Sequence, residues 1–444
     1  MFSRFLLSLL GGTLVAVLLL MPVQLCVPAY AEEDEAECWA VIVGVSEYEH
    51  YHGEQAYFAN NAREFASQLS SLWGDDHVKL LTDSMATEEA IEDAITDWLV
   101  SRADTNDVAL FYFSGMAEGD DVAFAPYDAR YSETWTNDRE LDKWLGMLDS
   151  EKIVVILEIA HAGRFETKLS DSGRVVLMAC RSDESHWYNT ALQQSIFSYL
   201  VLEALRGFEA ADTNNDMELS AEEIFNYAQS GTEDLVEDEQ HPQMSDYYEG
   251  QLSLLIKVTA GVESDMAQDV NILSIAGRTY SAGDLPISFI WTPDSSHDFE
   301  VVSSVSGGSG IEYAFNSWDD GTKSASRTIS HGGAYIANYT THYYLTVESA
   351  YGDPQGEGWY DSGSRATISV TSPQGKIIRQ VFTGWSGDFS ATTPSASVTM
   401  NGPKTITANW RTDYMQLYMI IGGVLVLLGG IAAGVTIMLV RRRR

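Results

Sequence analysis

The sequence predicts an α/β domain with a mostly parallel sheet and helices on both faces, followed by all-β modules and one transmembrane helix. Three observations predict it. Over 38–258, unbroken Val/Ile/Leu runs alternate with segments of helical period, the pattern of a parallel sheet covered on both faces. Over 270–412, short alternating runs sit between turns rich in Gly, Ser and Asp, the pattern of all-β structure. Over 417–440 no residue is charged, and four arginines follow directly.

At the N-terminus, Arg4 precedes an apolar run over 5–21, and Ala29-Tyr30-Ala31 closes the segment before an acidic stretch. A positive start, an apolar middle and a small-x-small end predict a cleaved secretory signal over 1–31. The first domain, 32–258, opens with the strand 39–45 (WAVIVGV) and a helix over 56–72. Strands are expected at 77–81, 108–113, 153–157 and 174–178, and a last one at 251–256. Between them come helices over 87–101, with Thr87 as cap and Glu88 and Glu89 in its acidic first turn, and over 139–148; a further helix runs over 194–208.

A β-rich module over 259–342 is followed by a second over 343–412, and the two carry a degenerate repeat. Phe315-Asn316-Ser317-Trp318 answers Phe382-Thr383-Gly384-Trp385, and Ala337-Asn338-Tyr339 answers Ala408-Asn409-Trp410. At about 1.5 Å per residue the 417–440 run reaches about 36 Å, enough to cross a bilayer as a helix over 415–440. The 441–444 arginines belong on the cytoplasmic side. The expected protein is therefore a single-pass cell-membrane protein with the bulk of its chain extracellular.

Charge is unevenly spread. Residues 32–258 hold 48 acidic and 13 basic side chains, and 259–410 hold 15 and 7. A surface this acidic repels nucleic acid and anionic lipid heads, so neither is an expected partner. Three cysteines form no disulfide framework: Cys26 lies in the signal, and Cys38 and Cys180 fall at opposite ends of parallel strands, where they are expected as two buried thiols.

Ligands of open α/β sheets bind beyond the carboxyl ends of the strands. Two such ends carry Ser114-Gly115-Met116-Ala117 and Glu158-Ile159-Ala160-His161-Ala162-Gly163. With 39–48 (WAVIVGVSEY), Asn60-Asn61-Ala62-Arg63, Pro126-Tyr127-Asp128 and Gln240-His241-Pro242-Gln243, they resemble the caspase and metacaspase family of cysteine peptidases over about 37–258. That family carries Ser-Gly-His-Gly after one strand and Asp-x-Cys-x-Ser-Gly after the next. The resemblance implies that its histidine falls on Met116 and its cysteine on Ala160. Alanine offers no nucleophile, and a thioether exchanges no proton at neutral pH. Ala117, Glu158 and Ala162 depart from the motif as well, so the decay extends beyond the dyad. Glu158 stands where metacaspase-like members hold a basic substrate side chain, which implies binding of Arg or Lys without cleavage. His161 and Cys180 are the residues nearby that could stand in for a base or nucleophile. Residues 343–412, with Gly356-Glu357-Gly358-Trp359-Tyr360 and Phe382-Thr383-Gly384-Trp385-Ser386-Gly387, resemble internalin-B-type repeat modules of microbial surface proteins.

A second motif is local. Residues 212–223 fit the 12-residue EF-hand loop, with Asp212, Asn214, Asp216, Ser220 and Glu223 at oxygen-ligand positions and Glu218 offering its backbone carbonyl. Met217 stands where the sharp turn wants glycine, so weak calcium binding is expected. Three functions follow in order: a surface-anchored pseudopeptidase binding basic peptides or a protein partner, a cysteine endopeptidase with an unrecognised catalytic arrangement, and a structural or adhesive envelope protein.

Overall fold

The structure, a computed structural model, describes residues 36–51, 57–118, 122–130, 134–263, 266 and 270–443. The signal expected over 1–31 lies outside the described residues. The first domain runs β1 (Cys38–Gly44), α1 (Phe58–Trp73), β2 (Val78–Thr82), α2 (Glu88–Asp93), β3 (Val108–Ser114), α3 (Asp138–Leu145), β4 (Lys152–Glu158), β5 (Arg174–Met178), α4 (Ile196–Arg206), β6 (Glu218–Ser220), α5 (Ala221–Leu235) and β7 (Gln243–Asp246). Its sheet has the order β7-β5-β4-β3-β1-β2, parallel except for β7, which pairs antiparallel with β5.

The unbroken apolar runs are explained by two cores. Ala40 and Ile42 of β1 point to the face covered by α1, α4 and α5, where Phe65, Leu200 and Ile224 pack. Val41 and Val43 point to the other face, against Ile91, Ile95, Leu141 and Leu145. Alternate residues thus enter different cores and both must be apolar. Each fully buried chain of this size, Ile42 for example, stabilises by about 1.5–3 kcal/mol. Thr87 caps α2 by accepting from the Ala90 N–H at 3.2 Å. The helix then loosens into a π-helical turn over Ala94–Leu99, so the element expected over 87–101 is two geometries end to end. A capping box of Asn137 and Glu140 starts α3.

One strand differs from expectation. The sheet is closed by the polar β7, and the apolar segment expected at 251–256 instead begins β8 (Ser253–Glu263) in a second sheet. An edge strand is recruited by backbone hydrogen bonds, so it needs no apolar run to mark it. The domain boundary drawn at 258 consequently falls inside a strand.

The second sheet joins β8 to β9 (Ile287–Trp291), β10 (Ile311–Trp318), β11 (Gly333–Ser349), β12 (Gly358–Asp361), β13 (Arg379–Gly387) and β14 (Lys404–Asp413), with β6 on its first edge. β11 pairs in parallel with β8 at its start and with β14 at its end. The sequence repeat is a structural one. β10 pairs with β11 through a register shift between Phe315 and Ser317, and β13 pairs with β14 through a shift between Phe382 and Gly384. In each unit the indole N–H after the bulge donates to a loop carbonyl, Trp318 to Ser324 at 2.9 Å and Trp385 to Thr393 at 3.0 Å. The two tryptophans centre separate cores. The final helix, α6 (Met415–Arg441), has a mean hydropathy of 2.5 over its most apolar window and is long and apolar enough to cross a membrane.

Candidate functional site

β3 and β4 pair in register to their last residues, Ser114 opposite Glu158. Met116 and Ala160 therefore each lie two residues beyond the last pair, on adjacent strand ends. Both are half-buried. The Met116 N–H donates to the Tyr48 hydroxyl at 2.8 Å, and its carbonyl accepts from Ala125 N–H at 2.9 Å, which fixes the turn. A Cβ on Gly115 would stand 2.8 Å from the Phe113 ring and 3.0 Å from the Tyr48 hydroxyl, so only glycine lets the chain pass here. After Ala160, His161 takes a left-handed conformation (φ 57°) and turns the chain into Ala162–Phe165.

Glu158 is wholly buried. Its Oε2 accepts from the Ser198 N–H at 2.9 Å and from the Ser198 hydroxyl at 2.7 Å, while its Oε1 has no hydrogen-bond partner. The Ser198 hydroxyl also meets the Tyr112 hydroxyl at 2.7 Å. Loss of water pushes the carboxyl up to about 7, against the pull of the Ser198 bonds. The expected substrate contact is thus shut behind α4, and a basic side chain reaches it only where Ser198 gives way.

Cys180 and His161 are each engaged by nearby backbone carbonyls. Cys180 is fully buried, with its Sγ–H donating to the carbonyls of Ile159 at 3.4 Å and Glu184 at 3.3 Å. Burial pushes its thiol up to about 12, far from the thiolate a nucleophile needs. Among the described residues, Cys38 and Cys180 are free and buried, as expected. His161 Nδ1 lies 3.2 Å from the Ser182 carbonyl on the rim. The loop 180–187 is itself held by the 240–243 segment. Buried Gln240 accepts from Trp187 N–H and donates to the Ala179 carbonyl, each at 2.7 Å, and His241 Nδ1 pairs with Glu184 at 2.7 Å.

The 212–223 loop gathers acidic side chains at the start of α5. Carboxylate oxygens of Asp212, Asp216 and Glu223 all lie within 4.8 Å of one another. Asn214 adjoins them, donating from Nδ2 to Asp216 Oδ2 at 2.8 Å. The Glu218 N–H donates to Asp216 Oδ1 at 2.9 Å. Ser220 and Glu223 form the capping box of α5. Met217 does take the left-handed turn (φ 65°) that glycine would take without strain. Spacing could not have found Gln251, whose Oε1 accepts from Asn214 Nδ2 at 3.0 Å across 37 residues.

Residues 37–251 match the profile of the caspase domain, and residues 343–413 match that of the divergent InlB B-repeat domain. The first domain is caspase-like. No curated protein matches the chain. Among solved structures, a crystal structure of a protein from Geobacter sulfurreducens is similar at 13% identity and a TM-score of 0.37, covering 48% of this chain and 94% of that one. In the caspase-like domain, the ends of β3 and β4 form the carboxyl edge at which open α/β sheets take ligands. What the edge presents is a thioether, a methyl group and backbone amides, with the nearest carboxylate enclosed. Tyr48 closes the quoted 39–48 segment, whereas Ser198 acts from α4 with no sequence spacing to betray it.

Proposed function

We propose that the caspase-like domain is a pseudopeptidase that binds peptides or a protein partner at the β3–β4 edge, held at the cell surface by α6. The observation that carries the reading is the pair Met116 and Ala160 at adjacent strand ends, where a nucleophile and its base must act as one unit. The ligand class is a basic side chain. The domain's acidic excess attracts it, and Glu158 would receive it by exchanging the Ser198 hydroxyl for a cation. The test is a peptide-library assay of the purified chain beside Met116→His plus Ala160→Cys. No turnover by the wild type is expected, even though amide donors left at such an edge can give about 10³-fold over water. Cleavage that survives both Cys38→Ala and Cys180→Ala would sink the proposal. A second reading has one observation in its favour. Cys180 Sγ donates to the Ile159 carbonyl at 3.4 Å, one residue from Ala160. Turnover abolished by Cys180→Ala alone would favour that arrangement.

The anchoring half is tested separately. With the arginines after α6 on the cytoplasmic side, protease added to intact cells is expected to remove 32–410. An exposed C-terminal tail with a protected caspase-like domain would reverse the orientation.

A further inference from the structure

The 212–223 loop does more than gather carboxylates. Asp212 is 8% exposed, and its Oδ1 has no hydrogen-bond partner, while its Oδ2 accepts from the Met217 N–H at 3.1 Å. A buried carboxylate oxygen left unpaired is costly unless a cation meets it. The same aspartate belongs to the group whose oxygens lie within 4.8 Å of one another. Three carboxylates, the Asn214 amide oxygen and the Glu218 carbonyl make an all-oxygen set of the size and flexibility that suits calcium better than magnesium.

The far side of the loop is built into the β module. β6, which is loop positions 218–220, pairs antiparallel with β8, Glu218 opposite Ile256 and Leu219 opposite Leu255. The Met217 carbonyl accepts from the Lys257 N–H at 2.8 Å. That same carbonyl lies 2.2 Å from where a Cβ on Gly332 would stand. Beyond Gly332 the chain enters β11, whose Gly333 pairs with Val258 of β8. The turn that aims Asp212, Asp216 and Glu218 is therefore the surface on which the β module seats.

We propose that residues 212–223 form a calcium site that locks the caspase-like domain onto the first β module through β6, β8 and Gly332. The proposal is independent of whether the β3–β4 edge cleaves or binds peptides. Calcium fixes the loop, the loop fixes the Met217 carbonyl, and that carbonyl fixes the Gly332 approach. By reciprocity, seating of the module raises calcium affinity.

The test is calorimetric titration of the full chain in detergent with calcium chloride and with magnesium chloride, alongside hydrogen exchange of 253–263 and 329–338. Binding in the range of about 10⁻⁴–10⁻³ M is expected for an extracellular site of this kind. Glu223→Gln should weaken it by at least about tenfold, since it removes half of a bidentate ligand. Met217→Gly, which frees the left-handed turn, should bind at least as tightly as the wild type. Calcium should slow exchange of Lys257 and of the β8–β11 amides by at least about fivefold. Gly332→Val, which touches no ligand, should lower calcium affinity by about fivefold or more. No calcium heat from both the wild type and Met217→Gly would remove the site. An equal response to magnesium would overturn its assignment to calcium. Binding with unchanged exchange and no effect of Gly332→Val would overturn the lock.

Discussion

Trp318→Ala is expected to destabilise the first β module by about 3–5 kcal/mol. Trp318 is the largest of the fully buried side chains, packed against Phe299 and Phe315 with the Arg327 guanidinium 5.4 Å from its ring centre. Alanine leaves a cavity there and also loses the hydrogen bond to the Ser324 carbonyl, which adds at most about 1 kcal/mol. Trp318→Phe keeps most of the packing and loses the hydrogen bond, so its cost should stay well below that of alanine. Denaturant unfolding followed by far-UV circular dichroism measures both. A loss under about 1 kcal/mol for Trp318→Ala would show that the indole does not centre this core.

Stability should also fall as pH rises through a window set by Glu158, and Glu158→Gln should remove that fall. The folded carboxyl sits at about 7 and the ordinary value is 4.5. Between these the folded state holds a proton that the unfolded state has given up. Ionisation then opposes folding: the penalty is absent below about 4.5, grows to about 7 and is constant above. Its full size is on the order of 3 kcal/mol. Glutamine keeps an oxygen for the Ser198 donors and carries no charge, although its amide occupies the place of the unpartnered Oε1. At pH 8 the variant is therefore expected to exceed the wild type by roughly 1–3 kcal/mol, and at pH 4 by little or nothing. Unfolding curves for the two proteins that run parallel across this range would mean that Glu158 is solvated in solution. The group matters for the proposed binding, because a cationic ligand favours the ionised carboxylate and its affinity should rise over the same window.

The parallel sheet was legible because both its faces are buried: 39–45, 108–113 and 153–157 read as uninterrupted apolar runs for the reason that Ala40 and Val41 serve different cores. The clustering of Asp212, Asp216 and Glu223 was legible because the three lie within 12 residues of one another. The bulged Phe–Trp unit was legible because it occurs twice. Other features left no such trace. β7 is polar and joins the sheet through its backbone alone. The closure of Glu158 depends on Ser198 from α4, 40 residues away, and no periodicity records that contact. The expectation that Glu158 faces a ligand came from the identity of its position, and burial is decided by what packs over it. The end of the first domain was drawn at 258 because composition changes near there, whereas the chain passes the boundary inside β8 without a break.

β11 has a mechanical consequence. Its 17 residues span about 56 Å when extended, pairing with β8 at one end and β14 at the other. Tension entering the chain next to α6, through β14, runs along strand axes and loads these two parallel pairings in shear. Hydrogen bonds sheared together share the load, whereas a hairpin peeled from its tip loses them one at a time. The seam from β14 through β11 to β8 should therefore bear pulling along its length far better than pulling across it. Force spectroscopy with handles at residues 36 and 413 would find the β modules resisting as one mechanical unit.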